Sequence, residues 1–306
     1  MSSKPGIYVE ILIRPTPGHD TLDHVWQLTQ DPALHQRWDL RFTDIDYLPR
    51  PDLSQPQKFL YATRIGFGLA IRGTGESIAT RTSASGDTSS SLKFFSEDPK
   101  SLIREGAGYW KYVPTPDGLR FFTWYDYTTR FGLLGRLADK LFRPLMGWAT
   151  AWSFDRMRLW AEQGQSPEAS MAFALIHATA RIAIAAIWIW HGLVPKLLFH
   201  NLDEQIMLAQ SHVPLAALPW FGALEILLGL LTLLTWTWRA IFPATAALML
   251  LALVGVSVES PAYLKAAFNP VTLNGAVIAL AAVGYLSSAR LPTARRCLRR
   301  APEGER

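Results

Sequence analysis

Apolar residues recur with two different periods along the chain, and the change of period divides it into two regions. In the segment IYVEILIR, residues 7–14, every second residue is Ile or Val, and the residues between them include Glu10 and Arg14. This alternation predicts a strand with one buried face. A short helix, a break at Asp31-Pro32 and a second helical turn are predicted next. Six strand-like segments follow, separated by turn sequences, at about residues 39–49, 57–66, 69–81, 89–97, 104–113 and 119–129. A helical segment from about residue 133 to 162 closes this region, with a kink expected near Pro144.

The second region contains four long apolar segments, at residues 171–190, 218–238, 240–258 and 271–288. The hydrocarbon core of a bilayer is about 30 Å thick and requires roughly 20 apolar residues of helix. Buried helices of a soluble domain are the alternative, but these segments offer almost no charged face to water. The sequence therefore predicts a soluble domain over residues 1–165 and a four-helix transmembrane domain over residues 166–306.

Charge placement bears on orientation and on partners. Residues 1–165 hold 20 Lys+Arg and 18 Asp+Glu, whereas residues 166–306 hold 10 and 7, with six arginines in the last eighteen residues. The positive-inside rule places this tail in the cytoplasm and the loops at 191–217 and 259–270 outside. The net charge of +5 is thus a feature of topology rather than of a nucleic-acid-binding face. The expected topology has both termini in the cytoplasm, with a lipid bilayer as partner and no nucleic acid.

Catalytic and metal-binding motifs are not found in the sequence. The single cysteine, Cys297, excludes an intramolecular disulfide and any C-x-x-C motif. The sequence contains no G-x-S-x-G, H-E-x-x-H, P-loop or Rossmann fingerprint. It therefore predicts no metal site, no evident cofactor and no identifiable catalytic residue, and it leaves open whether the chain is an enzyme.

Ionisable residues inside the predicted spans are costly in lipid and therefore indicate structural or functional contacts. Arg181 lies about 13 Å from the outer end of the first span, and Glu225 lies about 10 Å into the second from the same side. These similar depths predict an ion pair, and His177 shares the helical face of Arg181. Two interpretations stay open: contacts that hold helices together, or a ligand or proton site. The predicted intramembrane polar site consists of His177, Arg181, His191, Lys196, Glu225, Asn269 and Asn274.

The segment WIWHGLVPKLLF, residues 188–199, is expected to leave the membrane at its outer interface. Pro195 is predicted to stop or bend the first helix, and Lys196 to extend toward the lipid headgroups. Asn269, directly before Pro270, is predicted to cap the fourth span.

The sequence WHGLVPKLL after the first span, a glutamate early in the second and NPVTLN at the start of the fourth resemble the DoxX-like family of small four-helix bacterial membrane proteins. This resemblance covers about residues 171–288. Some DoxX and DoxD relatives are associated with quinone-linked sulfur oxidation or redox-stress complexes. The resemblance therefore implies the bacterial inner membrane as the location, and a quinone and partner membrane subunits as candidates, but it supplies no reaction.

The first region resembles the SRPBCC superfamily, which includes START-like and polyketide-cyclase-like domains, in its order of elements and in VWQLTQDPALHQRWDLRFTDIDYL at residues 25–48. The resemblance implies an α+β helix-grip fold, an antiparallel sheet around a long C-terminal helix with an apolar cavity between them. Aromatic residues of small domains are mostly core, but their density here favours a hydrophobic ligand. The predicted lining residues are Trp38, Phe42, Tyr61, Phe95, Trp110, Trp124 and Tyr127.

The predicted function is binding of a hydrophobic small molecule, a lipid or a quinone, by the cytoplasmic domain of an integral membrane protein. Two alternatives remain at this point: a subunit of a quinone-linked membrane oxidoreductase, and a membrane scaffold for partner subunits.

Overall fold

The computed structural model describes residues 6–302 apart from Pro17, His19, Pro51, Leu53 and Phe67. The chain forms two compact units. The first, here called the sheet unit, comprises residues 1–170 and 292–306, and the second, here called the helical unit, comprises residues 171–291.

The sheet unit is an antiparallel sheet with a long helix after its last strand. Its described elements are β1 (Ile7–Ile13), α1 (Thr21–Gln30), α2 (Pro32–Trp38), β2 (Asp44–Tyr47), β3 (Gln57–Gly66), β4 (Leu69–Thr82), β5 (Thr88–Phe95), β6 (Ile103–Thr115), β7 (Gly118–Thr129) and α3 (Gly132–Gln163). The seven strands are ordered β1-β7-β6-β5-β4-β3-β2, so the first strand pairs with the last. The predicted α+β helix-grip fold is confirmed.

Local capping explains the two short helices that precede β2. Asp20 accepts hydrogen bonds from the first backbone N–H groups of α1, and Asp31 does the same for α2, which has Pro32 in its first turn. The chain therefore ends one helix and starts the next at Asp31, where the sequence predicts a break.

The core of the sheet unit lies between β1, β6 and β7 on one side and the second half of α3 on the other. Val9, Tyr112 and Phe121 point from the strands, and Phe154 and Met157 from the helix, and all five are buried. The alternation along β1 leaves Tyr8 and Glu10 on the other face of the sheet. The first half of α3 is mostly exposed.

The C-terminal tail packs on the sheet unit, although the predicted boundary at residue 166 assigns it to the membrane domain. Thr293 N and Arg296 Nη1 lie 2.7 and 3.0 Å from the Asp155 carboxylate, and Leu298 exchanges two backbone hydrogen bonds with Glu10. The Asp155 side chain is fully buried, so it needs these donors. The tail thus pairs with the edge strand β1 at one position, Glu10 with Leu298, and belongs to the sheet unit.

The helical unit contains the long apolar helices. Its described elements are α4 (Pro167–His191, which begins in the sheet unit), a π-helical segment (Gly192–Leu198), α5 (Leu202–Gln210), α6 (Leu218–Leu234), α7 (Ile241–Glu259) and α8 (Pro270–Ser287). Four helical segments in the described part of the chain are long and apolar enough to cross a membrane: Pro167–Leu198, Leu215–Leu234, Ile241–Glu259 and Pro270–Arg296. They lie at the four predicted positions.

The ends of the first two spans differ from the prediction. Helical structure continues past Pro195 to Leu198, because the wider π turn accommodates a residue without an N–H group. The second span ends at Leu234 and not at residue 238. Directly after Leu234, Thr235 bonds back to Leu231 O and a turn follows.

The π-helical segment and α6 touch through two glycines. A Cβ atom added to Gly192 would lie 2.3 Å from Gly222 O, and one added to Gly222 would lie 2.8 Å from Gly192 O. Both obstacles are backbone atoms, which cannot rotate away. Close approach of these two segments therefore depends on the absence of side chains at both positions.

We expect Gly192→Ala to lower the stability of the full chain by about 1–3 kcal/mol, because the added methyl group forces the two segments apart. Gly275→Ala in α8 is the matched control, since its Cβ would meet no atom within 4 Å. Thermal unfolding in detergent micelles measures both. Equal melting temperatures for the two variants would contradict the packing argument.

Candidate functional site

The sheet unit encloses a charged cluster at the end of α2, formed by His35, Asp39 and Arg41. The Asp39 carboxylate is fully buried and accepts from Arg41 Nε at 2.9 Å and Arg41 Nη2 at 2.6 Å. His35 Nε2 lies 3.1 Å from the same carboxylate. Asp39 also closes α2, because its N–H bonds to His35 O. The turn that ends the helix thus brings the three side chains together.

Electrostatics hold this cluster in a defined charge state. Burial alone would raise the pKa of Asp39, but the charge of Arg41 and the hydrogen bonds from His35 and Arg41 hold that pKa well below its usual range. Burial lowers the pKa of His35, and the contact with Asp39 offsets only part of that effect. At neutral pH the cluster therefore contains an ionised Asp39–Arg41 pair and a neutral histidine.

A row of aromatic rings leads from the surface to the charged cluster. Centroid distances are 6.0 Å from Tyr47 to Phe59, 6.5 Å from Phe59 to Tyr61, 5.5 Å from Tyr61 to Phe42 and 5.2 Å from Phe42 to His35. Tyr47 is exposed, and the next three rings are half-buried. Burial raises the pKa of Tyr61 to about 12. We call Tyr47, Phe59, Tyr61 and Phe42 the aromatic row.

Two glycines in β4 make room for the aromatic row. A Cβ atom on Gly73 would lie 2.3 Å from the Tyr61 ring, and one on Gly75 would lie 2.2 Å from the Phe59 ring. Each ring is paired with its glycine across the β3–β4 ladder. The two rings therefore lie flat along the inner face of the sheet instead of standing away from it.

Five of the seven predicted lining residues lie on the inner face or beside it. Trp38 and Trp110 contact His35 at 5.0 and 4.9 Å between ring centroids, and Phe42 and Tyr61 belong to the aromatic row. Tyr127 is buried near the start of α3, where its hydroxyl donates to Asp139. Their role as ligand contacts stays a prediction.

The other two predicted lining residues, Phe95 and Trp124, were placed on the wrong face of the sheet. Trp124 stacks on Tyr109 on the outer face, and both Phe95 and Trp124 are exposed. Strand alternation is the reason, because Phe94 and Tyr127 occupy the inner positions of β5 and β7.

All three members of the charged cluster lie outside the site residues predicted from the sequence. The signal was present in HQRWDLR: a histidine and an aspartate four residues apart share a helix face, and an arginine follows two residues later. These charged residues flank a tryptophan that is completely buried. When ionisable residues lie on both sides of a core residue within a few positions, at least one of them is expected to be buried with a partner.

Arg181 occupies a structural position in the helical unit. It is fully buried, and it donates to Thr232 O at 2.6 Å, Trp238 O at 2.5 Å and His177 Nε2 at 2.9 Å. Two of these acceptors are carbonyls at and beyond the C-terminal end of α6, where a helix leaves carbonyls without partners. A cation there also interacts favourably with the helix dipole. Arg181 therefore caps α6.

Lys196 forms the second polar cluster of the helical unit. Its Nζ lies 2.9 Å from Glu204 Oε1 and 3.0 Å from Glu225 Oε2, and its side chain is almost completely buried. Glu225 Oε2 has no partner with hydrogen-bond geometry among the described residues. One ammonium thus faces two carboxylates, and one carboxylate oxygen retains acceptor capacity.

The predicted Arg181–Glu225 ion pair is wrong, as is the predicted extension of Lys196 to the headgroups. Side chains on a helix tilt toward its N-terminus. The first two spans run in opposite directions, so the heads of Arg181 and Glu225 diverge although their Cα depths are similar. Glu225 instead approaches the π-helical segment, where Lys196 is enclosed between two carboxylates.

The remaining members of the predicted intramembrane site are dispersed. His191 O accepts a long bond of 3.4 Å from Lys196 Nζ. Asn269 caps α8 by accepting from Thr272 N at 3.0 Å. Asn274 is buried and donates to Met249 O at 3.2 Å. The structure thus brings together His177 with Arg181, and Lys196 with Glu225, but it does not form one site from all seven residues.

Within residues 6–302, with the five gaps named above, no three His, Cys, Asp or Glu side chains are grouped so that they could hold a metal ion.

The sheet unit and the four apolar helices define a multi-pass membrane protein with a helix-grip domain. Residues 185–282 match the model of the DoxX-like family. The chain is 45% identical over 223 residues to the uncharacterized membrane protein YndG of Bacillus subtilis (strain 168), an alignment that covers 71% of this chain and 77% of YndG. The chain belongs to the family of that membrane protein.

Solved structures also resemble part of the chain. One is the di-domain ARO/CYC StfQ from the steffimycin biosynthetic pathway, with 16% identity and a TM-score of 0.37 over 53% of this chain and 50% of StfQ. Another is a STAR-related lipid transfer protein fragment from Xanthomonas axonopodis, with 14% identity and a TM-score of 0.34 over 46% of this chain and 88% of the fragment. The fold assignment rests on the strand order and the long helix described above.

We expect Asp39→Asn to lower the stability of the sheet unit at pH 7 by about 3 kcal/mol, because it leaves Arg41 buried without its counter-ion. The folded-state pKa of Asp39 is depressed, so its contribution is present above the unfolded value of about 4 and is lost as pH falls toward the folded value. The difference between wild type and variant should therefore shrink below pH 4.

Thermal unfolding of the full chain, followed by near-ultraviolet circular dichroism from pH 7 to pH 3, measures this difference. Asp44→Asn is the control, since it breaks an exposed ion pair with Arg64 and should change stability little. A constant difference between wild type and Asp39→Asn across this range would show that Asp39 does not stabilise the fold as an anion.

We expect Lys196→Met to lower the stability of the full chain by about 2 kcal/mol, because two carboxylates then lose their shared counter-ion. Adding Glu225→Gln should restore part of the loss, since it removes one uncompensated charge. Lys265→Met, at an exposed lysine, is the control. Melting temperatures of these variants in detergent measure the effects. If the effects of Lys196→Met and Glu225→Gln simply add, the two residues do not stabilise each other.

Proposed function

We propose that the sheet unit binds a hydrophobic small molecule whose polar head accepts hydrogen bonds, a description that fits a lipid or a quinone. The observation that carries the proposal is the aromatic row, which runs from exposed Tyr47 to half-buried Phe42 and ends at the charged cluster. Ligand sites of this kind are mainly apolar, with a few polar groups that orient the ligand.

The aromatic row suits the apolar body of such a ligand. Phe59, Tyr61 and Phe42 are incompletely covered by the described protein, so they keep ring surface that an apolar chain or ring can bury. Gly73 and Gly75 allow the first two of these rings to lie against the sheet, because a Cβ atom at either glycine would overlap with a ring. An apolar ligand lying along the row would remove that surface from water.

Arg41 suits the polar head. The Asp39 carboxylate fixes the guanidinium beside the rings of Phe42 and Tyr125, at 5.6 and 5.4 Å from their centroids. A guanidinium has five N–H donors, which is more than one carboxylate accepts in a bidentate pair. A carbonyl, carboxylate or phosphate oxygen at the inner end of the row would find a donor that is already oriented.

We also propose that the sheet unit is cytoplasmic and that the membrane is the bacterial inner membrane. The chain leaves the sheet unit after residue 170 and returns to it at residue 292, which requires an even number of crossings, and the four apolar helices meet that requirement. Arg239 follows the second apolar helix and the arginine-rich tail follows the fourth, and the positive-inside rule assigns such basic segments to the cytoplasm.

A second candidate function is a subunit of a quinone-linked membrane oxidoreductase, and the Lys196 cluster favours it. Lys196 Nζ is a donor for a quinone carbonyl, and Glu225 Oε2 has acceptor capacity for a hydroquinone hydroxyl. In this case the ligand would bind beside Lys196 and Glu225, and the aromatic row would remain empty.

Photo-crosslinking distinguishes the two. The full chain in nanodiscs is illuminated with a diazirine fatty acid or a diazirine quinone, and the labelled peptides are mapped. We expect labelling of residues 40–62, reduced about tenfold by Tyr61→Ala, which corresponds to roughly 1.4 kcal/mol of lost ring contact. Trp124→Ala, which removes an exposed ring from the outer face, is the matched control.

Each labelling pattern has a defined meaning. Quinone labelling of residues 192–225 without labelling of residues 40–62 would replace the first proposal with the second. Labelling that is uniform over the spanning helices and unaffected by Tyr61→Ala would contradict both and leave the scaffold interpretation.

A further inference from the structure

The first half of α3 carries an apolar face that the described protein does not cover. Its members are between 45% and 78% exposed, which is unusual for large apolar side chains on a folded domain. They are Leu133, Leu134, Leu137, Leu141, Leu145 and Trp148. We call this set the leucine face.

The leucine face points away from the sheet. At about 100° per residue, its six members fall within an arc of about 120°. The buried side of the same half-helix carries Gly135 and Asp139, and Asp139 bonds to Tyr127 of the sheet. These two lie on the opposite side of the helical wheel. The leucine face is therefore a second apolar surface, distinct from the one that packs in the core.

A second group of exposed apolar residues lies at the same end of the sheet. The strand registers place the end of β3, the start of β4 and the end of β7 at the same end of the sheet along the strand direction. Ile65 and Leu69 flank the β3–β4 turn there, Phe131 precedes α3, and all three are at least half exposed. One end of the sheet unit thus collects apolar side chains from two separate segments.

The charges beside the leucine face are positive. Arg136 and Lys140 are exposed and lie one turn apart along its border. The acidic residue of this half-helix, Asp139, is buried and neutralised by Arg143. An apolar face bordered by Lys and Arg is the pattern of helices that lie in the interface of an anionic bilayer.

We propose that the leucine face docks on the anionic lipid surface of the membrane that the apolar helices cross. A bilayer is favoured over a second copy of the chain because the border is basic and because α4, the first apolar helix, begins at Pro167, only four residues after α3 ends at Gln163. The connection spans about 14 Å at most, so the C-terminal end of α3 stays close to the start of the first apolar helix. The leucine face begins 15 residues before that end, about 22 Å along the helix, and reaches the bilayer surface when α3 lies along it.

Site-specific fluorescence on the full chain tests the docking. Leu141→Cys is labelled with the environment-sensitive dye NBD. The protein is placed in nanodiscs of phosphatidylcholine that contain about 30% phosphatidylglycerol, which gives an anionic surface. Native Cys297 should stay unlabelled, because it is buried and burial raises its thiol pKa to about 12. Ser85→Cys, in the exposed turn at the opposite end of the sheet, is the control.

We expect the label at position 141 to emit at shorter wavelength than the label at position 85 and to be quenched at least about twofold by nitroxide-labelled lipid. Arg136→Gln with Lys140→Gln should reduce the ratio of docked to undocked molecules on the order of tenfold, as should omission of phosphatidylglycerol.

Two results would overturn the proposal. A label at position 141 that behaves as the one at position 85 would show that the leucine face stays in water. A label that is shielded from water but not quenched by nitroxide lipid would show that protein covers the face, either a second copy or a partner. Docking and ligand binding are measured separately, so failure of one leaves the other intact.

Discussion

A cation enclosed without bulk water must find acceptors inside the protein, and this requirement organises both units. In the helical unit Arg181 takes carbonyls at and beyond the C-terminal end of α6, while Lys196 takes the carboxylates of Glu204 in α5 and Glu225 in the middle of α6. The two cations therefore hold α6 at two different heights, one at its C-terminal end and one at its middle. In the sheet unit Arg41 takes Asp39 at the end of α2 and so determines where the chain turns toward β2. Each pairing compensates the charge of a buried cation and also restrains the backbone segments that carry the two partners.

Most of the fold could be predicted because its elements are long and strongly periodic. Every predicted strand has an observed counterpart, and the ends agree within two residues except for the segment predicted at 39–49, of which only Asp44–Tyr47 is a strand, because residues 39–43 form the turn after α2. The four apolar segments correspond to the four long helices. The predictions failed where the outcome depends on side-chain direction. Trp124 and Tyr127 are an odd number of residues apart on one strand, so they could not both line the cavity, and alternation alone excludes one of them. Equal Cα depth suggested an Arg181–Glu225 pair, but antiparallel helices tilt those side chains in opposite directions.

The charged cluster was harder to predict because it consists of residues whose ordinary place is the surface. His35 and Arg41 are buried only because α2 ends between Trp38 and Asp39 and the chain then reverses into the core. The length of an element and the period of its hydrophobic pattern do not predict such a reversal of the chain. What the sequence does report is an aromatic core residue flanked on both sides by charges, and a position of that kind requires either a solvated turn or an internal ion pair. The sheet unit uses the internal pair, and that choice supplies the proposed ligand site with an oriented donor.

Exposed leucines carry a different cost in an anchored protein than in a free one. On a freely diffusing domain, a face like that on α3 would invite association with other copies. Here the apolar helices hold the domain beside lipid permanently, so the local concentration of membrane surface is high and a weak affinity suffices for docking. The same tether explains why the face needs only two bordering cations and not a long polybasic segment, since stable attachment is already provided by the spans. An apolar molecule taken up along the aromatic row would then need to travel only from the bilayer to a domain already resting on it.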